Sequence, residues 1–312
     1  MVQLNIQIPE NFLDEEERFG HLVTKQTKEI WAIELDLYHE LRRVCEKHHL
    51  RFAANAGTVL GAIRHKGFIP WDDDMDFVMP REDYEKLCKI APQEFKHPYH
   101  LENFHTEPHY VYGSSKLMNL DTTGYENPFT KKHGIFIDIF PLDAYIDDSK
   151  LFEDQWKEAV KLFSRYQRVV TCTRKDYCRT PNISLLRKYV RWAYYYYYKI
   201  RGIRVGDAYH KKLFHKFAEV CQRFNGEKDV QYVGELSFLQ KKDKTRLSDF
   251  NHINEYAFEF TTIPLFEHYD EYLTTKYGDY MKPVKSGYAM HSFKIIDTDR
   301  PYTEVLKEKG IL

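Results

Sequence analysis

The feature that most constrains the fold of this chain is an acidic stretch enclosed by apolar residues. In GFIPWDDDMDFVMP, residues 67–80, four carboxylates occupy five positions, at Asp72, Asp73, Asp74 and Asp76. Phe, Ile, Trp, Met and Val side chains flank them. Carboxylates repel one another and resist burial. A fold that buries the flanking residues therefore needs a compensating charge, and a bound metal ion removes such repulsion.

Two of these carboxylates share one side of a predicted strand. Successive side chains of a strand point to opposite faces, so Asp74 and Asp76 face one side while Met75 and Phe77 face the other. Carboxylates two residues apart along a strand are separated by about 7 Å, and they can share one divalent cation or a pair of them.

A second apolar strand carries a single carboxylate. In GIFIDIFPLD, residues 134–143, the isoleucines take one face and Asp138 takes the other, between two phenylalanines. A lone carboxylate there is costly unless something pairs with it. If the two strands are neighbours, Asp74, Asp76 and Asp138 converge on one point. Such an oxygen-rich site suits Mg²⁺ or Mn²⁺ and phosphoryl transfer.

A small-residue turn precedes the acidic stretch. In RFAANAGT, residues 51–58, a short predicted strand leads to Gly57 and Thr58, which open a predicted helix. The N-terminus of such a helix is a ready phosphate-binding element. Thr58 is the expected N-cap and Gly67 the expected end of the helix. An isolated run of aspartates is more often a solvated turn, but its strand setting, the second strand and this turn together favour a site.

Length and composition fit an ordered globular protein. The chain has 312 residues, a formal net charge of −1 and 16% aromatic residues, which allows a substantial core in one or two domains. Its five cysteines are scattered without a CxxC pair, which argues against a disulfide framework or a zinc knuckle. No signal peptide or transmembrane segment is recognisable. We therefore expect a cytoplasmic protein.

Helical and strand patterns alternate in the first half of the chain, which predicts an α/β fold. An amphipathic helix is expected over residues 25–49, where apolar residues recur at spacings of three and four. Another is expected over residues 81–92, ended by Pro92. The other predicted elements are short strands within residues 99–125, strands over residues 74–80 and 134–143, and a helix over residues 262–283.

The composition changes after residue 150. Residues 161–216 contain 15 Lys or Arg and only two acids, a formal charge of +13. Within them, LLRKYVRWAYYYYYKIRGIR, residues 185–204, is both basic and aromatic. We expect a mainly helical insertion here. The predicted division of the chain is an N-terminal segment, a catalytic core, the basic insertion and a C-terminal segment that completes the catalytic domain, at residues 1–24, 25–149, 150–235 and 236–312.

Three blocks of the sequence resemble one family. AGTVLGAIRHKGFIPWDDDMDFVMPREDYEKL resembles the signature of the LicD/fukutin phosphotransferases, and KLMNLDTTGYE with GIFIDIFPLD resembles its second half. FEFTTIPLFEHYDEYLTTKYGDYMKP is similar to the family's C-terminal block. The family is similar in fold to polymerase-β-type nucleotidyltransferases. The resemblance thus implies an α/β (α+β) nucleotidyltransferase core with a mixed sheet, to which the basic helical insertion is added.

The resemblance also implies an activity. Members of the family look like enzymes that move a phospho-alcohol, such as phosphocholine or ribitol phosphate, from a CDP-activated donor to a sugar hydroxyl, releasing CMP. CDP-choline is the expected donor, and a teichoic acid, lipopolysaccharide or capsule precursor is the expected acceptor. By position, Asp74, Asp76 and Asp138 match the family's carboxylates and would hold one or two Mg²⁺ or Mn²⁺ ions. Asp138 either completes the metal site or accepts the proton of the acceptor hydroxyl.

Other residues are expected to bind the substrates. Backbone N–H groups near Gly57 and Thr58 would hold a phosphate. Arg64 and Lys116 would clamp the diphosphate. Trp71 is expected to stack on the base or close over the alcohol, or else to anchor the core. Two histidines are further candidates for the substrate site, His65 and His291.

Other functions remain open from the sequence. A nucleotidyltransferase on the same fold would use an NTP, and a non-catalytic relative with a decayed site would only bind glycan or membrane. The three intact carboxylates argue against decay. The basic segment shows no recognition motif for nucleic acid, so no nucleic-acid partner is expected. Residues 161–216 are instead expected to contact an anionic leaflet peripherally, on the inner face of the membrane, with an ordinary helical subdomain as the alternative.

Overall fold

The protein combines a mixed sheet with helices, which occur before, within and after the basic region of the sequence. The computed structural model describes residues 1–127, 129–179, 183–241, 243–283 and 293–312. The helices are α1 (Lys25–His48), α2 (Ala56–His65), α3 (Arg81–Glu94), α4 (Ser149–Cys172), α5 (Lys175–Cys178), α6 (Leu185–Ile200), α7 (Ala208–Cys221), α8 (Tyr269–Tyr277) and α9 (Tyr302–Glu308). The strands are β1 (Glu16–Arg18), β2 (His21–Val23), β3 (Ala53–Ala54), β4 (Asp76–Pro80), β5 (Tyr99–Glu102), β6 (Ser115–Asn119), β7 (Thr123–Tyr125), β8 (Ile135–Tyr145), β9 (Tyr232–Gly234), β10 (Lys244–Arg246), β11 (Ile253–Phe258), β12 (Thr261–Phe266) and β13 (Ile295–Asp297).

The longest strand, β8, is the centre of the sheet. It pairs in parallel with β4 and antiparallel with β6, and its C-terminal end pairs antiparallel with β9. The hydrogen-bonded order is β10-β9-β8-β4-β3, with β6 and then β5 attached to β8. Two-stranded pairs form outside this sheet between β1 and β2, β11 and β12, and β7 and β13. The predicted α/β fold with a mixed sheet is confirmed.

The sequence of α1 explains why it packs against this sheet. Thr24 caps the helix by accepting a backbone hydrogen bond at 3.2 Å, and apolar residues every three or four positions are buried. Two aromatic pairs join α1 to the acidic stretch and its strand: Trp31 stacks on Phe68 with ring centroids 4.7 Å apart, and Tyr38 stacks on Phe77 at 5.2 Å. The predicted amphipathic helix is confirmed.

The predicted boundaries of α2 are wrong. The N-cap is Asn55 rather than Thr58, which lies inside the first turn. The physical reason is that the Thr58 hydroxyl accepts a hydrogen bond from the backbone N–H of Asp76, at 2.8 Å, instead of capping the helix. The C-cap is Lys66, in the left-handed region with φ 58°, so the helix ends at His65, two residues before Gly67.

Two other predicted elements also differ from the structure. α3 continues past Pro92 to Glu94, because a proline so close to a helix end removes only one of the last backbone hydrogen bonds. The segment 262–283 is not helical throughout: β12 occupies its beginning and α8 follows. The strand forms because this segment pairs with β11 along its whole length.

The basic region folds into helices around a second core. α4 packs against α7, and the buried rings of Phe163 and Phe217 are stacked 4.6 Å apart. Tyr194 and Tyr198 attach α6 to the same core. The expected helical character of this region is confirmed. Within the described ranges, no helix is both long and apolar enough to cross a membrane.

A buried ion pair between α3 and β8 is hydrogen-bonded to residues that follow helices α4–α7 in the chain. Asp143 of β8 is fully buried and accepts two hydrogen bonds from the guanidinium of Arg81 in α3, at 2.8 and 2.5 Å. Asn225 donates to the same carboxylate at 2.9 Å. Ser237 lies 2.6 Å from the guanidinium and 3.3 Å from the carboxylate. The network thus ties the segment that follows the helices back to the sheet.

Asp143→Ala is expected to lower the free energy of unfolding by about 3–5 kcal/mol, because it leaves the buried guanidinium of Arg81 without its main counter-charge. Urea unfolding followed by circular dichroism measures the change. Asp147→Ala is the matched control. Its ion pair with Lys244 lies at the surface, and losing it is expected to cost less than about 1 kcal/mol. Equal losses in the two variants would contradict the role assigned to the buried pair.

Candidate active site

Two of the predicted carboxylates are neighbours across the sheet. β4 and β8 run parallel, and Asp76 is the direct register partner of Asp138. Direct partners on adjacent strands point to the same face. Asp74 lies two residues before Asp76 and outside β4, which begins at Asp76 rather than at residue 74 as predicted. All three aspartates are partly exposed, whereas Met75 and Phe77 are buried. The backbone therefore sets Asp76 beside Asp138, with Asp74 next to them along the chain.

The N-terminus of α2 lies directly beside Asp76. The backbone N–H of Asn55 donates to the carbonyl of Asp76 at 2.9 Å, and the N–H of Asp76 donates to the Thr58 hydroxyl at 2.8 Å. A Cβ added to Gly57 would lie 3.1 Å from a carboxylate oxygen of Asp72, which is closer than ordinary contact. Glycine therefore fits between the turn and the acidic stretch without forcing them apart.

Residues from distant segments hold this turn in place. The buried side chain of Asn55 donates to Glu235 at 2.9 Å and accepts from the hydroxyl of Tyr272 at 2.8 Å. The same hydroxyl accepts from the N–H of Ala56 at 3.3 Å. Ala56 has a φ of 44°, in the left-handed region that costs a non-glycine residue roughly 1–2 kcal/mol. None of these roles was predicted, although an asparagine before a helix is a recognisable cap signal.

The carboxylates give the site a negative potential, which shifts the pKa of side chains in neighbouring helices. Glu34 of α1 is buried, and burial together with the charge of Asp73 and its acidic neighbours raises the pKa of the Glu34 carboxyl well above its ordinary value. Burial and the charge of Asp76 likewise raise the pKa of the Tyr277 phenol in α8. A potential of this sign attracts cations.

Arg64, His65 and Trp71 form a cluster at the end of α2. Arg64 donates to Nε2 of His65 at 2.8 Å and to the carbonyl of Tyr280 at 2.8 Å. Burial and the charge of Arg64 lower the pKa of His65 to about 4, so its imidazole is neutral at pH 7. Trp71 is half-buried, with its ring centroid 6.0 Å from that of His65. The substrate-binding roles of these three residues stay predictions.

Lys116 lies on the same face of the sheet as the carboxylates. It is the register partner of Asp138 on one side and of Glu102 on the other. Its ammonium group donates to Glu126 at 2.8 Å and lies 3.4 Å from the ring centroid of Phe136. Although burial opposes it, the charges of Asp138 and Glu126 raise the pKa of Lys116. The lysine thus offsets negative charge from within the sheet, and its role as a diphosphate clamp stays a prediction.

The side-chain oxygens of the aspartates are chemically suited to bind a divalent cation. Carboxylate oxygens are the ligands that Mg²⁺ and Mn²⁺ prefer, and Asp76 and Asp138 supply them from adjacent strands. Among the described residues, no three His, Cys, Asp or Glu side chains are grouped closely enough to hold a metal ion. Binding one therefore requires the carboxylates to turn toward a common point. His291, predicted for the same site, lies outside the described residues.

Cavity volume does not identify this site. A cavity of about 1170 Å³ is lined by Pro80, Leu142 and Tyr232 among others. Pro80 and Leu142 lie at the opposite end of the β4–β8 pairing from Asp76 and Asp138. None of the predicted site residues lines this cavity. The carboxylates, rather than this cavity, therefore define the candidate site.

A mixed sheet that sets aspartates on neighbouring strands beside a small-residue helix start is expected of nucleotidyltransferase-type α/β domains. Residues 49–175 match the family model described as the LicD/FKTN/FKRP nucleotidyltransferase domain. These residues therefore match the LicD family domain that the resemblance predicted. The match continues beyond GIFIDIFPLD, residues 134–143, through α4 to the first residue of α5.

The chain is also similar to individual proteins. It is 26% identical to the lipopolysaccharide cholinephosphotransferase LicD of Haemophilus influenzae over 261 residues, which cover 80% of this chain and 87% of that protein. It is 40% identical to an uncharacterized protein of Rickettsia prowazekii over 62 residues, 19% of this chain and 23% of that protein. The similarity to the Haemophilus protein thus extends over most of both chains.

Across the sheet, successive register partners form a row of charged residues, Asp76, Asp138, Lys116 and Glu102. Glu102, at the end of this row, was not predicted as a site residue. It is fully buried in β5, and neither of its carboxylate oxygens has a hydrogen-bond partner among the described residues. Burial, only partly opposed by the charge of Lys132, raises the pKa of Glu102 to about 7 from an ordinary value of 4.5. Between these pH values the folded protein keeps a proton on Glu102 that the unfolded chain has lost.

The free energy of unfolding is therefore expected to fall by about 3 kcal/mol, from this group alone, as the pH rises from about 4.5 to about 7. Glu102→Gln keeps the shape without the titration and is expected to remove that part of the pH dependence. Urea unfolding at about pH 5 and about pH 8 measures it. Glu17→Gln, at an exposed position, is the control that should leave the profile unchanged. Parallel profiles for the parent and Glu102→Gln would show that the buried carboxyl does not titrate as described.

Proposed function

We propose that the protein is a metal-dependent phosphotransferase that moves phosphocholine from CDP-choline to a sugar hydroxyl of a cell-surface glycan. The observation that carries the proposal is the pairing of Asp76 with Asp138 on parallel strands, beside the N-terminus of α2. The LicD domain supports the reaction class. The similarity to the Haemophilus cholinephosphotransferase supports choline as the alcohol and a lipopolysaccharide as acceptor, and a teichoic acid or capsule precursor is the other acceptor class.

The carboxylates are the proposed ligands of one or two Mg²⁺ or Mn²⁺ ions. A cation bound there would neutralise charge on the diphosphate of the donor. Asp74 and Asp76 offer oxygens from one segment, and Asp138 offers them from the adjacent strand. Lys116, beside Asp138, offsets part of the repulsion among these carboxylates while no cation is bound. The raised pKa of Glu34, caused by burial and by the charges of the neighbouring aspartates, agrees with a site that binds positive charge.

The turn that opens α2 is the proposed phosphate-binding element. The first backbone N–H groups of a helix have no partner within the helix. In the described structure the N–H groups of Ala56 and Thr58 are bonded to Tyr272 and Asn55. The N–H of Gly57 is therefore the group of this turn that we propose as the donor to a phosphate oxygen. The absence of a side chain at Gly57 allows the close approach that such a contact needs.

The transfer itself requires a proton acceptor. The hydroxyl oxygen of the sugar forms a bond to the phosphorus of phosphocholine, the bond from that phosphorus to the CMP oxygen breaks, and the hydroxyl proton passes to a base. Asp138 is the proposed base when it does not ligate the cation. With a pKa of about 4, His65 is a weak base and more suited to positioning through hydrogen bonds.

We place the enzyme in the cytoplasm, where nucleotide-activated donors are found. All five cysteines are free thiols, which fits a reducing compartment. The sugar acceptor would then be used before the glycan leaves the cell.

Asp74→Asn, Asp76→Asn and Asp138→Asn are each expected to lower turnover by about 100-fold or more, because each removes a charged ligand of the proposed cation. CMP release from CDP-choline measures turnover, and circular dichroism checks the fold. Asp14→Asn, at an exposed position in the N-terminal segment, is the control. Substantial activity of Asp76→Asn, or full activity in excess EDTA, would rule out the metal assignment.

Donor binding is expected to be specific for cytidine diphosphate alcohols and to require the cation. Calorimetry with CDP-choline, CDP-ribitol, CDP-glycerol, UTP and ATP, with and without Mg²⁺, tests this without a known acceptor. CDP-choline is expected to bind most tightly, and Asp76→Asn to bind it at least about 10-fold more weakly, since the diphosphate loses its bridge to the protein. Binding of UTP or ATP with no response to CDP-alcohols would identify a nucleotidyltransferase that uses NTPs instead.

A further inference from the structure

α6 turns an apolar stripe toward solvent. Leu185 and Leu186 are each 74% exposed, and Ile200 is 83% exposed. At 100° per residue, the exposed apolar positions of α6 fall on one face that spans about 140°. A helix of a water-soluble domain normally turns such a face toward the core. The side chains of this face, here called the outer stripe, are Leu185, Leu186, Tyr189, Val190, Tyr196, Tyr197 and Ile200.

The opposite face of α6 is fixed by packing. Tyr194 and Tyr198 stack with ring centroids 6.0 Å apart and join the core formed by α4 and α7. Arg168 of α4 lies over the ring of Tyr194 at 4.4 Å and donates to its hydroxyl at 2.9 Å. Arg191 donates to the carbonyl of Tyr177 at 3.0 Å. Because these contacts fix the rotation of the helix, they keep the outer stripe on the surface.

Basic residues line both edges of the outer stripe. Helical spacing places Arg187 and Arg201 along one edge and Lys188 and Lys199 along the other. In the part of the chain that the structure describes, none of these four side chains pairs with a carboxylate. The surrounding sequence, residues 177–206, contains seven Lys or Arg and no Asp or Glu. The stripe is therefore apolar at its centre and uniformly cationic at its borders.

We infer that α6 docks the protein on an anionic bilayer leaflet, with its axis in the plane of the membrane surface. The outer stripe meets the acyl chains, and the Lys and Arg side chains at its edges meet the headgroup phosphates. Tyr189, Tyr196 and Tyr197 suit this depth, because the ring is apolar and the hydroxyl is polar. The docking surface thus comprises fewer residues than the predicted range 161–216. Arg191 is not part of it, because its guanidinium donates to the carbonyl of Tyr177.

Other occupants fit this face less well. A second copy of the chain would bring the cationic edges of two α6 helices together, and residues 177–206 offer no acid to compensate. A nucleic acid would match the charge, but it would leave Leu185, Leu186 and Ile200 against phosphates and sugars. An anionic lipid surface satisfies both the apolar centre and the charged borders.

The inference extends the proposed function without depending on it. If the glycan acceptor is carried on a lipid, docking through α6 holds the enzyme at the surface where that acceptor lies. Vesicle binding is measured without donor, acceptor or turnover. A failure to bind vesicles would leave the phosphotransferase proposal standing, and an inactive enzyme that binds vesicles would leave the docking surface standing.

Flotation of the full-length protein with phosphatidylglycerol vesicles and with phosphatidylcholine vesicles tests the docking surface. Binding is expected to phosphatidylglycerol alone, and to weaken as salt screens the cationic edges. A charge variant carries Arg187→Gln, Lys188→Gln, Lys199→Gln and Arg201→Gln. Since each basic side chain near an anionic leaflet raises affinity about five-fold, this variant is expected to bind at least about 100-fold more weakly. A stripe variant with Leu185→Gln, Leu186→Gln and Ile200→Gln is expected to lose binding at every salt concentration.

The controls separate this surface from general charge. A variant with Gln at four exposed lysines outside α6, Lys25, Lys96, Lys307 and Lys309, loses the same charge and is expected to bind as the parent does. Circular dichroism checks that all variants are folded. No flotation at low salt, or equal flotation of the parent, the charge variant and the stripe variant, would overturn the inference. A dimer of the parent in sedimentation velocity that is lost only in the stripe variant would also overturn it, because the stripe would then bind a second copy.

Discussion

The parallel pairing of β4 with β8 is the constraint on which the rest of the structure depends. It sets Asp76 directly beside Asp138, and like charges in register destabilise a strand pair by up to about 1 kcal/mol. The strands pair nevertheless because their other faces are buried: Phe77 stacks on Tyr38, and the isoleucines of β8 are fully buried. Each such side chain contributes about 1.5–3 kcal/mol on burial. Hydrophobic packing on one face thus holds together carboxylates that repel each other on the other.

Lys116 offsets part of the charge of this pair, and two other neighbours restrain its backbone. Trp31 of α1 donates to the carbonyl of Asp72 at 2.9 Å, and Thr58 accepts from the N–H of Asp76. Both bonds fix the backbone and leave the carboxylate charge in place. Burial and the charges of the same cluster raise the pKa of Glu34, because ionisation there would add to the repulsion. The fold therefore holds the backbone of the acidic segment in place while its carboxylates remain partly exposed.

The sequence could predict the parts of the site that lie within one segment, and little that depends on distant contacts. Two-residue alternation predicted the two strands, and the α/β fold and the LicD resemblance followed from the blocks around them. Alternation could not show that Lys116 is bonded to Glu126, or that Tyr272 reaches Asn55, because those contacts depend on how far-apart segments fold back. The wrong cap at Thr58 has the same origin, since its hydroxyl is used by a strand 18 residues further along the chain.

Charge is divided between two parts of this chain, and the packing explains how the division persists. Residues 161–216 carry a formal charge of +13, and the remaining chain carries the balance of −14. Opposite charges in one protein attract each other, but here the carboxylates stand on a sheet with its own core and the cationic edges of α6 stand on helices with another. Each core fixes its own charged surface. The carboxylates that we propose as cation ligands and the Lys and Arg side chains that we propose to meet an anionic leaflet therefore stand on two separately packed parts of one chain.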